Sequence, residues 1–295
     1  MKKTGFIAIV GRPNVGKSTL MNAILGEKVA IVSNKPQTTR NRIIGIHTVG
    51  EAQYVFLDTP GMHTPKNSLG EYMVKTANSS MQEADAIILV VDTGKEITAV
   101  EENVMAYAKR ADIPTVLALN KIDLYRRERI AQTIAAYAAK HTFAAVVPIA
   151  AKNGKNVDEL LSECTPFLSD SEWFFPEDMV TDQPERQLAA EIIREKILRT
   201  LDKEVPHGTA VVIEEYRDEE TLVRIRAEIF CEKASHKGII VGKNGASLKL
   251  IGTYAREDLE KILGVKVYLN LWVKVKENWR ESAGTVANFG YNDKD

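Results

Sequence analysis

The chain has 295 residues, 44% hydrophobic and 27% charged, with 39 Lys+Arg against 40 Asp+Glu and a formal net charge of −1. That length exceeds the usual single domain and that composition sustains a core, so two domains are expected and disordered, collagen-like and disulfide-scaffold classes are excluded. The charge balance excludes a uniformly basic nucleic-acid coat, but not a local basic patch, because net charge averages over domains.

The first apolar run, residues 6–10, stops at Gly11-Arg12, too early for a secretory leader. From there to about residue 168, short apolar runs (6–10, 53–58, 86–92, 114–120, 145–149) alternate with helix-like stretches (17–25, 69–83, 99–110, 126–140, 156–168). Most runs are apolar on consecutive residues, so both faces of each strand should be covered. Such alternation predicts a mostly parallel sheet sandwiched by helices. Residues 42–48 add one strand, expected at an antiparallel edge. The only cysteines, Cys164 and Cys231, lack a CxxC partner, which argues for a reducing compartment and against a zinc site or disulfide framework.

The character changes at residues 169–184, where Pro176 and Pro184 flank polar residues and the cluster Trp173-Phe174-Phe175. This reads as a linker with one aromatic anchor. A helix (185–201), two strands (209–216 and 221–231), a helix–loop–helix (235–263) broken at Gly242–Gly245, and a last strand (265–275) follow. Trp272 in that strand reads as core. The expected domains are 1–170, a linker over 171–184, a second domain over 185–280, and a weakly ordered tail over 281–295.

Three strings carry the chemistry of the first domain. Gly11-Arg12-Pro13-Asn14-Val15-Gly16-Lys17-Ser18 fits GxxxxGK[ST] and stands between a predicted strand and a predicted helix. Its glycines let successive N–H groups point at phosphate oxygens, Lys17 adds a positive charge, and Ser18 offers a hydroxyl to Mg²⁺. Thr19 continues the turn. Asp58-Thr59-Pro60-Gly61 closes a strand on the side where ligands collect, with Asp58 placed to hold Mg²⁺ through water and the Gly61 N–H placed to meet a γ-phosphate. Asn120-Lys121-Ile122-Asp123 closes another. One carboxylate accepts both N1–H and the 2-amino group of guanine, and a buried Asp facing adenine would be unpaired, a mismatch worth roughly 10⁴-fold. Asn120 would tie base to phosphate loop, and the Lys121 stem would cover the ring.

In order and spacing these strings, with Gln37-Thr38-Thr39-Arg40, resemble the Era branch of the TrmE–Era–EngA GTPases, along essentially the whole chain. The resemblance implies GTP/GDP and Mg²⁺ as ligands. It implies that Thr39 closes over the metal beside Ser18 and Asp58, within a first switch at 32–40 and ahead of a second at 59–80. Met62 stands where Ras-like enzymes carry a water-orienting Gln, so intrinsic hydrolysis should be slow, at about 10⁻⁴ to 10⁻³ s⁻¹ as in unassisted Ras-type enzymes. Related members place K⁺ on the Asn matching Asn14, supplying charge where an arginine finger would. Ala150-Ala151-Lys152 replaces the usual Ser-Ala string; the base contact comes from a backbone N–H, matching Ala151.

The second domain carries Lys237-Gly238-Ile239-Ile240-Val241-Gly242-Lys243-Asn244-Gly245, a GxxG loop between helices, in an α-β-β-α-α-β order that resembles a type II KH domain. Small loop residues admit a single-stranded backbone, and Ile239 and Ile240 are expected to form the base groove. Residues 233–276 hold nine Lys/Arg against three acids, a patch that predicts salt-sensitive binding. The resemblance implies a GTPase switch binding the 3′ end of 16S rRNA in 30S subunit assembly. It further implies a cytoplasmic monomer with a peripheral inner-membrane fraction, although no basic amphipathic helix demands membrane. The competing readings are an RNA-binding module with a structural nucleotide domain, opposed by Lys17, Ser18, Asp58 and Asp123, and an EngA-type GTPase, opposed by the single GKS string.

Overall fold

The computed structural model describes residues 1–292. By internal contacts the chain forms two units: Met1–Val32 with Thr39–Thr64 and Met73–Asp182, and Ser33–Thr38 with Pro65–Tyr72 and the chain from Gln183 onward. The division at Asp182 falls inside the expected linker.

The first unit is built on strands β1 (Lys3–Val10), β2 (Ile43–Val49), β3 (Ala52–Asp58), β4 (Ala86–Asp92), β5 (Thr115–Asn120), β6 (Ala145–Pro148) and the two-residue β7 (Ser169–Asp170). Their order is β2-β3-β1-β4-β5-β6, parallel except for β2 against β3 and β7 against β1. The consecutive apolar runs explain why the sheet is covered on both faces. All seven residues of β4 are buried. Ile88 and Val90 pack toward helices α1 (Lys17–Leu25) and α5 (Val157–Cys164), through Leu20, Met21, Val157 and Leu160. Ile87, Leu89 and Val91 pack the other way, onto Val104, Met105 and Ala108 of α3 (Ala99–Ala111) and Tyr137 of α4 (Arg127–Ala138), beside Met81 of α2 (Ser68–Glu83). Each such side chain contributes about 1.5–3 kcal/mol by burial. The linker anchor lies on this unit: Phe174 stacks on Phe6 at 5.1 Å, Trp173 Nε1 donates to Glu51 O (3.2 Å), and Phe175 exchanges hydrogen bonds with Gln53.

The second unit follows the order α6 (Glu185–Thr200), β8 (Ala210–Asp218), β9 (Leu222–Cys231), α7 (Ala234–Val241), α8 (Ala246–Leu263), β10 (Lys266–Val275), as the sequence predicts. Central β9 pairs antiparallel with β8 and parallel with β10. Along β9, Val223, Ile225, Ala227, Ile229 and Cys231 are buried in a core with Ile192, Ile193, Ile251 and Ala255, while the alternate residues face out. Period-2 alternation of this kind marks a sheet covered on one face.

Two expectations fail here. Trp272 is not core: it is 59% exposed, because Leu271 and Val273 take the inward parity of β10 and a strand cannot turn successive side chains the same way. The tail is not weakly ordered as far as Asn292. Trp279 is fully buried with Nε1 donating to Gly208 O (2.9 Å), α9 spans Ala283–Asn288, and Phe289 stacks on Phe230 at 4.4 Å. Within the tail, Val286, Phe289 and Tyr291 supply the packing that its polar composition concealed, the two aromatic rings lying on Trp279 just ahead of it. Residues 293–295 of the expected tail lie outside the described residues. No helix among the described residues is long and apolar enough to cross a membrane.

Candidate functional sites

The phosphate-loop string turns between β1 and α1 through three left-handed or near-left-handed residues, Gly11 (φ 150°), Asn14 (φ 63°) and Gly16 (φ 103°). The glycines are also needed for space. A Cβ on Gly11 would come within 2.3 Å of Val90 O, and one on Gly16 within 2.2 Å of Asn120 Nδ2. Lys17 is buried, and Nζ donates to Gly11 O (3.2 Å) and Arg12 O (3.1 Å). Burial lowers its pKa to about 8, with Asp58 opposing the shift.

Asp58 comes from the end of β3 and is fully buried. Its Oδ2 accepts from Ser18 Oγ (2.6 Å) and lies 3.5 Å from Thr39 Oγ1, while Ser18 Oγ and Thr39 Oγ1 are 2.8 Å apart. Asp58 Oδ1 is buried without a hydrogen-bond partner. Burial raises its pKa to about 6 against the opposing pull of Lys17, Ser18, Thr39 and Thr59. Hydroxyl and carboxylate oxygens converging with an unsatisfied anionic atom among them suit a hard cation such as Mg²⁺. Thr59 Oγ1 fixes this turn on Ile9 O (2.8 Å). Gly61 lies against the phosphate loop so closely that a Cβ would meet Pro13 at 2.7 Å. The Met62 N–H donates to Gly11 O (3.1 Å), and Met62 packs on the core.

At the other end, Asn120 Nδ2 donates to Val15 O (2.8 Å), and its Oδ1 accepts from Lys121 N (2.8 Å) and Ala151 N (3.0 Å). The Ala151 N–H is thus given to Asn120 here, rather than standing open to a base oxygen as the resemblance implies. Lys121 Nζ reaches Asn14 O (2.8 Å) and Asp92 Oδ2 (2.8 Å). Ile122 is buried in the turn, whereas Asp123 is exposed. Pro60 is buried in its turn, Thr19 lies in the first turn of α1, and Ala150 and Lys152 lie in the turn that follows β6.

Sequence reasoning missed three contributors. Asp92, at the end of β4, anchors Lys121; burial acts against ionisation, but hydrogen bonds from Lys121 and Gly94 outweigh it and lower the pKa. His63 Nδ1 donates to Gly61 O (2.8 Å). Glu101, fully buried in the α3 capping box with Thr98, takes the Arg12 guanidinium as an ion pair, and Arg12 Nη2 also donates to Glu96 O (3.1 Å). Of Arg12, then, only the backbone faces the phosphate cradle's business. A lone Asp, His or Glu carries no sequence signal of such roles.

In the second unit, Gly242 (φ 74°), Asn244 (φ 53°) and Gly245 (φ 78°) shape the GxxG loop between α7 and α8. A Cβ on Gly242 would meet Ser247 at 2.7 Å. Beside the loop lies a groove of about 400 Å³, walled by Leu248, Lys249, Gly252 and Arg256 of α8 and by Leu269 and Leu271 of β10. Of the expected apolar pair, Ile240 is fully buried in the core and Ile239 is half exposed on α7; the walls of this groove are other residues. Lys237 and Gly238 lie on α7, and Lys243 in the loop.

Residues 6–121 match the family model described as 50S ribosome-binding GTPase, and residues 204–280 match the KH domain. The chain is 50% identical to the GTPase Era of Clostridioides difficile (strain 630) over 297 residues, covering 100% of each. The GTPase Era of Alkaliphilus oremlandii (strain OhILAs) is 50% identical over 292 residues, covering 98% of this chain and 99% of its own. The chain belongs to the Era family of GTPases. Among solved Era structures, a variant from Aquifex aeolicus bound to GDP·AlF4⁻ is 43% identical with a TM-score of 0.94, covering 98% and 99%. An Era complex with MgGDPNP and nucleotides 1506–1542 of 16S ribosomal RNA is 43% identical with a TM-score of 0.95, covering 99% of each chain.

Proposed function

We propose that this member of the Era family is a GTP-hydrolysing switch that binds the 3′ end of 16S rRNA and acts in assembly of the small ribosomal subunit. The observation that carries the reading is the joint presence of a guanine-nucleotide cradle and, on the second unit, a GxxG groove in a basic stretch. Lys17 and the loop N–H groups bind the phosphates, Asp123 reads guanine, and Ser18, Thr39 and Asp58 hold Mg²⁺, which neutralises phosphate charge when bound. The family-model description names the large subunit, whereas the rRNA bound by the related Era belongs to the small one; the second likeness spans the whole chain and is preferred. We read the protein, by its family resemblance, as a cytoplasmic monomer whose membrane contact is peripheral.

The decisive experiment is binding of a 3′-terminal 16S rRNA oligomer and a scrambled control to protein loaded with GDP or a non-hydrolysable GTP analogue. Selective binding, tighter with the analogue, is expected, because equilibrium coupling between nucleotide and RNA must run both ways. No preference over the scrambled RNA in either state rejects the reading.

For hydrolysis, Met62 has no hydrogen bond to offer a water, and we assign the missing charge to K⁺ on Asn14, whose left-handed backbone shapes the loop. GTP turnover should be faster in KCl than in NaCl of equal concentration; equal rates remove K⁺ from the scheme.

A further inference from the structure

β10 is an edge strand, and its two faces do different things. The inward parity, Leu269 and Leu271, walls the groove. The outward parity carries Tyr268 and Trp272, which are 54% and 59% exposed. Four residues along a strand set their positions about 13 Å apart. In register beside them on β9 stand Arg224 opposite Tyr268, Arg226 opposite Asn270 and Glu228 opposite Trp272. The Arg224 guanidinium lies 5.5 Å from the Tyr268 ring centre. The outward positions of β8, β9 and β10 hold Arg217, Arg224, Arg226, Lys266 and Lys274, which pair with Glu215, Glu219, Glu228 and Glu260, so the face keeps a small cationic excess in exposed, exchangeable ion pairs. The other end of this face is closed by the chain itself, with Phe289 on Phe230 and beside Trp279. The protein thus covers the aromatic residues at one end and leaves two bare at the other.

We propose that the outward face of β10 and β9 is a second RNA surface. Single-stranded RNA leaving the groove crosses the edge of β10 and stacks bases on Trp272 and Tyr268, with its phosphates near Lys266, Lys274 and Arg226. The inference rests on the RNA reading above. Nucleotides 1506–1542, present in the complex of the related Era, are several times the four or so that a GxxG loop clamps, so RNA flanking the clamped segment is there to meet a surface next to the groove. Aromatic side chains among cations are what sequence-tolerant single-strand binding requires.

The test compares a groove-length 3′-terminal oligomer with one extended on its 5′ side, on the full chain carrying a GTP analogue. The double variant Tyr268→Ala/Trp272→Ala, at exposed positions outside the core, is expected to lose about 30-fold or more in affinity for the extended RNA and none for the short one. Unchanged affinity for the extended RNA overturns the proposal and leaves the face to a protein partner. An equal loss for both RNAs overturns it as well. Failure of the unsubstituted protein to bind either RNA rejects the RNA reading itself.

Discussion

Asp58 is a carboxylate kept in a place that disfavours its charge. Burial lifts its pKa from 3.8 to about 6, even with Lys17 and two hydroxyls nearby. Between about pH 4 and 6 the native protein therefore binds more protons than the unfolded chain, so stability falls as pH rises through that window and the cost stays in full above it. Asp58→Asn in nucleotide-free protein should add roughly 1–3 kcal/mol at pH 7, a gain that fades toward pH 4. The same variant should lose Mg²⁺-dependent binding of a GTP analogue. Thermal denaturation across pH 4–8 checks the first part; a gain that grows toward acid pH sinks it. At this scale the residues legible in the sequence are those whose chemistry requires a string. Folding brings Lys17, Ser18 and Asp58 together: Ser18 bonds Asp58, and Lys17 acts on its charge. Asp92, Glu101 and His63 were illegible because each acts on a neighbour through one contact that only folding creates.

Among the elements, strands covered on both faces were read from consecutive apolar residues, and β4 is the clearest case. The groove was not readable, because its wall on α8 mixes Leu248, Lys249, Gly252 and Arg256, which share a helix face without sharing polarity. Trp272 was misread for a related reason: bulk suggested core, while parity along β10 decided against it. Gly252 was the overlooked signal. A glycine inside a helix costs about 0.5–1 kcal/mol relative to alanine. Packing does not demand it, since a Cβ there would meet only Leu271 Cδ1 at 3.4 Å, an ordinary contact. It leaves the groove wall without a side chain at that point, which on the RNA reading proposed above is room for a ligand backbone. Gly252→Ala should therefore stabilise the fold by about 0.5–1 kcal/mol while weakening binding of the 3′-terminal rRNA oligomer. A variant that is more stable and binds RNA as before would show that the glycine has no part in recognition.

For the whole molecule, a net charge of −1 conceals a surplus of six positive charges over residues 233–276, so the remainder of the chain is acidic. If about six phosphates are neutralised, log K against log salt should fall with a slope near −4 for single-stranded RNA. A slope shallower than −1 would mean that the basic stretch takes no part. The nucleotide-binding loops can absorb little substitution. On the nucleotide side, hydrogen alone fits at Gly11, Gly16 and Gly61, where the neighbours are Val90 O, Asn120 and Pro13. These contacts are with backbone or with a side chain already held by three hydrogen bonds, so nothing nearby can give way. Drift in the sequence has no gradual path through those positions, and the phosphate cradle is closed to retuning. Any new nucleotide preference would have to begin at the opposite end of the pocket, at Asp123, where the side chain stands in solvent and has room to change.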